Sequence, residues 1–79
     1  MQILYLVVSG SSDPTRASIP VHLAVNGSFE VGHTVCVVLA GDGTELVLPA
    51  IRDGLEGTGV PPMRDLFAKA RTHEVPIYV

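Results

Sequence analysis

Two unbroken apolar runs constrain the fold of this chain more than any other feature. Residues 2–8, QILYLVV, and residues 33–40, HTVCVVLA, are both rich in β-branched side chains. Runs of this kind are typical of strands in a parallel sheet that is covered on both faces. Parallel neighbours need a long crossover connection, and the stretch between the runs has a helical pattern. The sequence therefore predicts an α/β fold.

The first helix has clear start and stop signals. Asp13 is suited to cap it and Pro14 to occupy its first position. The helix should run to about residue 30, be kinked by Pro20, and end at Gly32. Its small face should pack on the sheet and is formed by Ala17, Ser18, Val21, Ala24, Val25 and Ser28.

The opposite side of that helix carries two larger apolar residues, Ile19 and Leu23. Two interpretations are open: a contact with another subunit, or apolar residues scattered on the surface. The apolar excess of the whole chain favours a subunit contact.

The second half of the chain predicts a short helix from residue 45 to about 51, capped by Asp42, and a Gly/Pro-rich loop before a third helix at 62–73. Asp65 and Lys69 are spaced to pair on the exposed side of that third helix. Residues 75–79 close the chain as a strand, so the order is β-α-β-α-α-β in one domain, residues 1–79. The buried stripe of the third helix should consist of Met63, Leu66, Phe67 and Ala70.

Composition limits the class of partner. The 79 residues are 47% apolar and only 16% charged, whereas charged residues average about 25% in globular domains. A net charge of −3 with scattered cations argues against nucleic acid, and no run reaches the ~20 apolar residues needed to span a bilayer. The apolar excess and the open sheet edges predict a homo-oligomer.

The single cysteine, Cys36, cannot form a disulfide within the chain, which favours a reduced, cytoplasmic setting. It lies between valines in the second apolar run, so we expect a buried and unreactive core thiol. The apolar start of the chain lacks a basic segment and reads as a buried strand rather than a signal peptide.

Two loops are the candidate functional site, because the carboxyl ends of parallel strands lie at one edge of a sheet. The first begins a helix and could bind an anion through its backbone N–H groups. Neither loop has a P-loop or GxGxxG pattern, so no nucleotide cofactor is expected. The residues expected to line the pocket are Ser9, Gly10, Ser11, Asp13, Gly41, Asp42, Gly43 and Thr44.

No catalytic or metal-binding set is evident in the sequence. His22, His33 and His73 lack metal-ligand spacing, and each is expected to be structural or solvated. The sequence thus predicts two pocket walls without a reactive centre.

The order of several stretches resembles the DsrE/DsrF family, which includes the sulfur-relay TusD-type proteins. The stretches are SGSSDPTRASIPVHLAVNGSFEVGHTVCVVLAGDGTELV and GVPPMRDLFAKARTHEVPIYV, which together cover nearly the whole chain. The resemblance implies a flavodoxin-like three-layer α/β/α fold, with a further helix and strand after Val79. It also implies a trimer or hexamer.

For sulfur-relay members, the resemblance implies persulfide transfer on a cysteine that directly follows the strand at 75–79. That position lies beyond Val79, and Cys36 does not match it. Two functions are therefore expected as alternatives. One is sulfur transfer with relay-protein partners in a longer form of the chain, and the other is a non-enzymatic oligomeric module that binds a small ligand or a protein.

Overall fold

The computed structural model describes all 79 residues as a three-stranded parallel sheet with helices packed on it. Strand β1 (Gln2–Val7) is followed by helix α1 (Pro14–Leu23), which continues into a π-helical turn (Ala24–Ser28). Strand β2 (Thr34–Leu39) leads into a 3-10 helix (Gly41–Val47) and a single turn, α2 (Pro49–Arg52). Helix α3 (Met63–Thr72) precedes the two-residue strand β3 (Ile77–Tyr78).

The element order confirms the α/β class, and the predicted caps of α1 are in place. The Asp13 carboxylate accepts the Arg16 backbone N–H at 3.1 Å, and Pro14 takes the first helical position. Gly32 has φ of +94°, a conformation that favours glycine, where the chain leaves the helical segment for β2. Pro20 lies within α1, which continues to Leu23.

The segment after β2 differs from the prediction. A 3-10 helix already begins at Gly41, and its first turn has no side-chain cap, so Asp42 is not the expected N-cap. Leu48 is extended, with φ −89° and ψ 114°, because a residue before proline is disfavoured in the helical region. Pro49 therefore divides the predicted helix at 45–51 into two shorter turns.

The sheet has the strand order β1-β2-β3, with β2 in the centre. Leu4 pairs with Cys36 and Leu6 with Val38, and Val38 pairs in turn with Tyr78 of β3. In a flavodoxin-like sheet β1 would lie between the next two strands, so that crossovers run in both directions and cover both faces. Here both crossovers advance across the sheet in the same direction, from β1 to β2 and from β2 to β3. Crossovers with the same direction and the same handedness place their helices on the same face of the sheet.

The core consequently fills only one face of the sheet. Val7, Val35, Val37 and Leu39 are buried beneath the helices, while their neighbours in sequence are exposed or half-buried. The expectation that these strands are covered on both faces is therefore wrong for residues 1–79, and the flavodoxin-like three-layer arrangement is not confirmed. The helical side of the core is as predicted and includes Ala17, Val21, Ala24, Val25, Met63, Leu66, Phe67 and Ala70.

Candidate functional site

The two predicted loops meet at the carboxyl edge of the sheet. The backbone N–H of Ser11 donates to Glu45 Oε1 at 3.3 Å, and the Ser11 hydroxyl donates to Glu45 Oε2 at 2.8 Å. Glu45 belongs to the 3-10 helix that follows β2, so this carboxylate ties the 9–13 loop to the second crossover. A backbone N–H proposed to bind an anion is thus engaged by an anion of the protein itself.

Two glycines permit close backbone contacts at this edge of the sheet. A Cβ on Gly10 would lie 2.4 Å from the Asp42 carbonyl oxygen, and one on Gly43 would lie 2.2 Å from the Val7 carbonyl oxygen. Both distances are far below van der Waals contact, so only glycine fits either position. Gly10 thus packs against the 41–44 loop, and Gly43 packs against the end of β1.

The remaining predicted residues have local roles. Asp13 caps α1 and lies 3.8 Å from the Arg16 guanidinium, while the Thr44 hydroxyl donates to the Gly41 carbonyl at 2.8 Å. Of the eight predicted pocket residues, only Ser11 lines a cavity, a shallow one of about 360 Å³ beside Pro14 and Leu55. The pocket-lining role of the two loops stays a prediction.

Sequence reasoning missed the role of Glu45. Its position at the start of a predicted helix indicated only a first-turn carboxylate, which is favourable there for electrostatic reasons. The contact with Ser11 spans 34 residues and becomes visible only once the two crossovers are placed side by side.

No cluster of three or more His, Cys, Asp or Glu side chains could hold a metal ion. The imidazole of His22 is hydrogen-bonded to Asn26 at 3.0 Å, and the His73 ring packs on Phe29 with ring centroids 4.9 Å apart. His33 directly precedes β2 and lines a shallow cavity. None of the three is hydrogen-bonded to a hydroxyl or thiol.

Lys69 is the centre of a polar contact between α3 and the segment that follows α1. Its ammonium donates to the Asn26 side-chain oxygen and to the Glu30 carboxylate, instead of pairing with Asp65 as the spacing predicted. The Lys69 hydrogen bond and charge lower the pKa of Glu30 below its ordinary value, and His73 adds a smaller effect in the same direction. Lys69 contacts Asn26 and Glu30 and not Asp65, because α3 packs against the π-helical turn that contains Asn26 and precedes Glu30.

The uncovered side of the sheet is an exposed apolar surface, and we call it the open face. It is uncharged, and its central row runs across all three strands through Leu6, Val38 and Tyr78. Its members are Gln2, Leu4, Leu6, Val8, Thr34, Cys36, Val38, Ala40 and Tyr78.

Cys36 lies on the open face and is half-buried, so the expectation of a fully buried core thiol is wrong. It borders a shallow concavity of about 430 Å³ with Leu4 and Tyr78. Strand alternation places Cys36 on the side opposite the buried Val35 and Val37. Because the apolar run around Cys36 is unbroken, the sequence could not show on which face of the sheet Cys36 lies.

Comparisons with protein-family models, with curated proteins and with solved structures give no significant match. The DsrE/DsrF resemblance therefore depends on the sequence motifs alone. No helix of the structure has the length and apolar character required to cross a membrane.

Proposed function

We propose that this chain is a self-associating binding module, in which the open face packs against the open face of a second copy. One observation carries the proposal: four large apolar side chains on that face are more than half exposed. Their exposed fractions are 60% for Leu4, 52% for Leu6, 55% for Val8 and 58% for Tyr78.

The size of this patch supports an interface. Fully exposed side chains of this size present roughly 150–200 Å² each, so the four expose on the order of 400 Å². Patches of about 300–600 Å² are the largest found on typical monomers and are often functional. A standard interface buries about 800 Å² per partner, of which the four side chains would supply half. The polar members of the face, Gln2 and Thr34, would contribute to the rim.

A second copy is a suitable partner for this surface because the surface carries no charge. A twofold interface places the same patch on both subunits, and a charged patch would then repel itself. The open face has no charged residue, so pairing with itself brings no like charges together. Two sheets pack face to face at about 10 Å with interdigitating apolar side chains, which would complete a core on the uncovered side.

The direct test is the mass of the intact chain by sedimentation, compared with Leu6→Lys and Leu23→Lys. We expect association in the wild-type protein, loss of association in Leu6→Lys, and little change in Leu23→Lys. Leu23 is a matched control because it is 48% exposed but lies on α1, away from the open face. The measured mass also reports whether the assembly is a dimer, or the trimer or hexamer that the resemblance implies.

Two outcomes contradict the proposal. One is a single-chain mass for the wild-type protein at concentrations of roughly 100 µM, where even micromolar affinities are visible. The other is dissociation by Leu23→Lys but not by Leu6→Lys, which would place the contact on α1. Far-UV circular dichroism of both variants separates lost association from lost folding.

Sulfur transfer is the second proposal, and the edge geometry favours it. The parallel strands bring the end of β3 to the edge that carries the 9–13 and 41–44 loops. A thiol that follows β3 at this edge would lie beside them, where a helix N-terminus lowers a thiol pKa. The one-directional strand order weighs against it, since it departs from the flavodoxin-like arrangement.

This second proposal has its own test. A form of the chain that extends past Val79 with a cysteine should bind sulfane sulfur as a persulfide, detected by alkylation and mass spectrometry. Cys36→Ser in the same chain should leave the persulfide unchanged. Absence of a thiol after Val79, or a persulfide on Cys36 alone, would remove this proposal.

A further inference from the structure

A groove on the helical side of the sheet is separate from both the open face and the two loops. It lies between α3 and the end of β2, next to β3, and has a volume of about 360 Å³. Five apolar residues and two arginines line it, with no acidic residue among them. The lining residues are Leu39, Val47, Arg52, Phe67, Arg71, Val75 and Ile77.

Arg52 is a fixed part of this groove. Its guanidinium carbon lies 4.9 Å from the centroid of the Phe67 ring, and only 16% of its side chain is exposed. Nη1 donates to the Leu46 carbonyl at 3.4 Å, and Nε lies 3.5 Å from Asp53 Oδ1. These contacts restrain the guanidinium of Arg52, while the other N–H groups of its fork have no partner in the chain.

Arg71 is the second cation and differs in its surroundings. It is exposed in the last turn of α3, and its guanidinium forms no ion pair or hydrogen bond within the chain. Asp53 pairs with Arg52, and no carboxylate of the chain pairs with Arg71. The positive charge of Arg71 is therefore left uncompensated beside an apolar groove.

We infer that this groove binds a small monocarboxylic acid with an apolar body, its carboxylate on Arg71 and the free N–H groups of Arg52 and its body against Phe67, Val75 and Ile77. The uncompensated charge selects a single negative charge over a dianion. The planar guanidinium fork matches a carboxylate with two parallel hydrogen bonds. The volume is at the lower end of ordinary ligand sites, which limits the body to about the size of one aromatic ring with a short chain.

The probe is 4-phenylbutyrate, and its neutral isostere 4-phenyl-1-butanol is the matched control. Each is titrated into the ¹⁵N-labelled intact chain at pH 7, and amide shifts are followed by NMR. We expect the acid to shift the amides of Arg71, Val75 and Ile77 in a saturable way, with the alcohol at least about fivefold weaker. Arg71→Ala removes a charged hydrogen-bond donor and should weaken binding of the acid roughly tenfold or more.

Arg16→Ala is the matched variant, because it removes the same charge from an exposed site on α1 and should leave binding unchanged. Three results would overturn the inference: equal affinity for acid and alcohol, unchanged binding in Arg71→Ala, or shifts confined to Leu4, Cys36 and Tyr78 on the open face. The acid–alcohol comparison uses the unmodified chain and so decides the matter even if a variant fails to fold. Self-association is measured separately by sedimentation, so a negative result for carboxylate binding leaves the proposed self-association untouched, and the reverse also holds.

Discussion

Gly43 shows how one residue determines the contact between the segment that follows β2 and strand β1. Its backbone lies against β1, where an added Cβ would be 2.2 Å from the Val7 carbonyl oxygen and 2.8 Å from the carbonyl carbon. Both atoms belong to the backbone of a paired strand, so neither can rotate away. The sequence marked Gly43 as a pocket residue, but its evident role in the structure is to permit this approach.

Gly43→Ala should therefore lower the free energy of unfolding by about 2 kcal/mol or more, as overpacking of a rigid site does. Gly27→Ala is the control, since a Cβ there meets nothing within 4 Å and the residue lies in the π-helical turn. Replacing glycine with alanine inside a helical segment should raise stability by about 0.5–1 kcal/mol. Urea unfolding of both variants checks the prediction, and equal midpoints would contradict it.

The Glu30–Lys69 pair predicts a pH dependence with a definite sign. The pKa of Glu30 is lowered from its ordinary value of 4.5, mainly by the Lys69 hydrogen bond. A lowered folded-state pKa gives stability that is present above the unfolded pKa and is lost as pH falls through the folded value. The contribution should thus be fully present well above pH 4.5 and be lost progressively at lower pH, as the pH falls through the lowered folded-state pKa of Glu30.

Lys69→Met should return the pKa of Glu30 towards its ordinary value, because both leading causes of the shift are removed. Titration of the Glu30 side-chain carboxyl by ¹³C NMR measures this directly. Arg16→Met, which removes a cation distant from Glu30, is the control. An unchanged Glu30 titration in Lys69→Met would show that the pair does not form in solution.

At the scale of elements, helix start signals and periodic apolar patterns were sufficient to predict the secondary structure of most of the chain. The Asp13–Pro14 signal located α1, and the 3.6-residue stripe that contains Leu66 located α3. The segment from Gly41 to Arg52 was predicted less well, because Pro49 imposes an extended Leu48 that divides the helix. The Asp65–Lys69 pair failed because local spacing does not reveal a tertiary competitor such as Glu30.

The π-helical turn is joined to the sheet by one hydrogen bond that local patterns could not predict. The hydroxyls of Tyr5 and Ser28 lie 2.6 Å apart, linking β1 to the end of the turn. Tyr5→Phe and Ser28→Ala should each lower stability by about 1 kcal/mol, the usual net contribution of a hydrogen bond. The double variant should lose little more than either single one, because both remove the same bond.

A double-mutant cycle by urea unfolding measures this coupling. Tyr5→Phe combined with Thr72→Ala is the control cycle. The Thr72 hydroxyl bonds only to the Ala68 carbonyl in its own helix, so that pair should be additive. Full additivity of Tyr5→Phe with Ser28→Ala would contradict the predicted link.

At the scale of the whole molecule, the strand order decides which face is covered. The sequence predicted parallel strands and crossover helices, and both are present. It could not predict the order β1-β2-β3, because nothing in an apolar run states which strand is its neighbour. The two apolar runs suggested two covered faces, yet Leu4 and Leu6 are exposed while Val35 and Val37 are buried.

The candidate site, like the fold, could be predicted only in part from the sequence. The meeting of the 9–13 and 41–44 loops follows from parallel strands, whose carboxyl ends share one edge. The Glu45 contact and the arginine groove depend on how two crossovers pack side by side. Contacts of that kind join residues far apart in sequence, and no periodic pattern in the sequence predicts them.

The open face supplies its own reporter of association, since Cys36 is the single thiol of the chain and lies within the patch. If two copies pack through this face, Cys36 should react with a disulfide reagent such as dithionitrobenzoate at a rate that falls as the protein concentration rises. A range of roughly 1–200 µM is suitable, because it brackets a micromolar dissociation constant. A Cys36→Ser, Val31→Cys double variant moves the thiol to a residue that is 73% exposed and outside the open face. Its rate should not depend on concentration. If Cys36 reacts equally fast across the range in which sedimentation detects association, the copies meet through another surface.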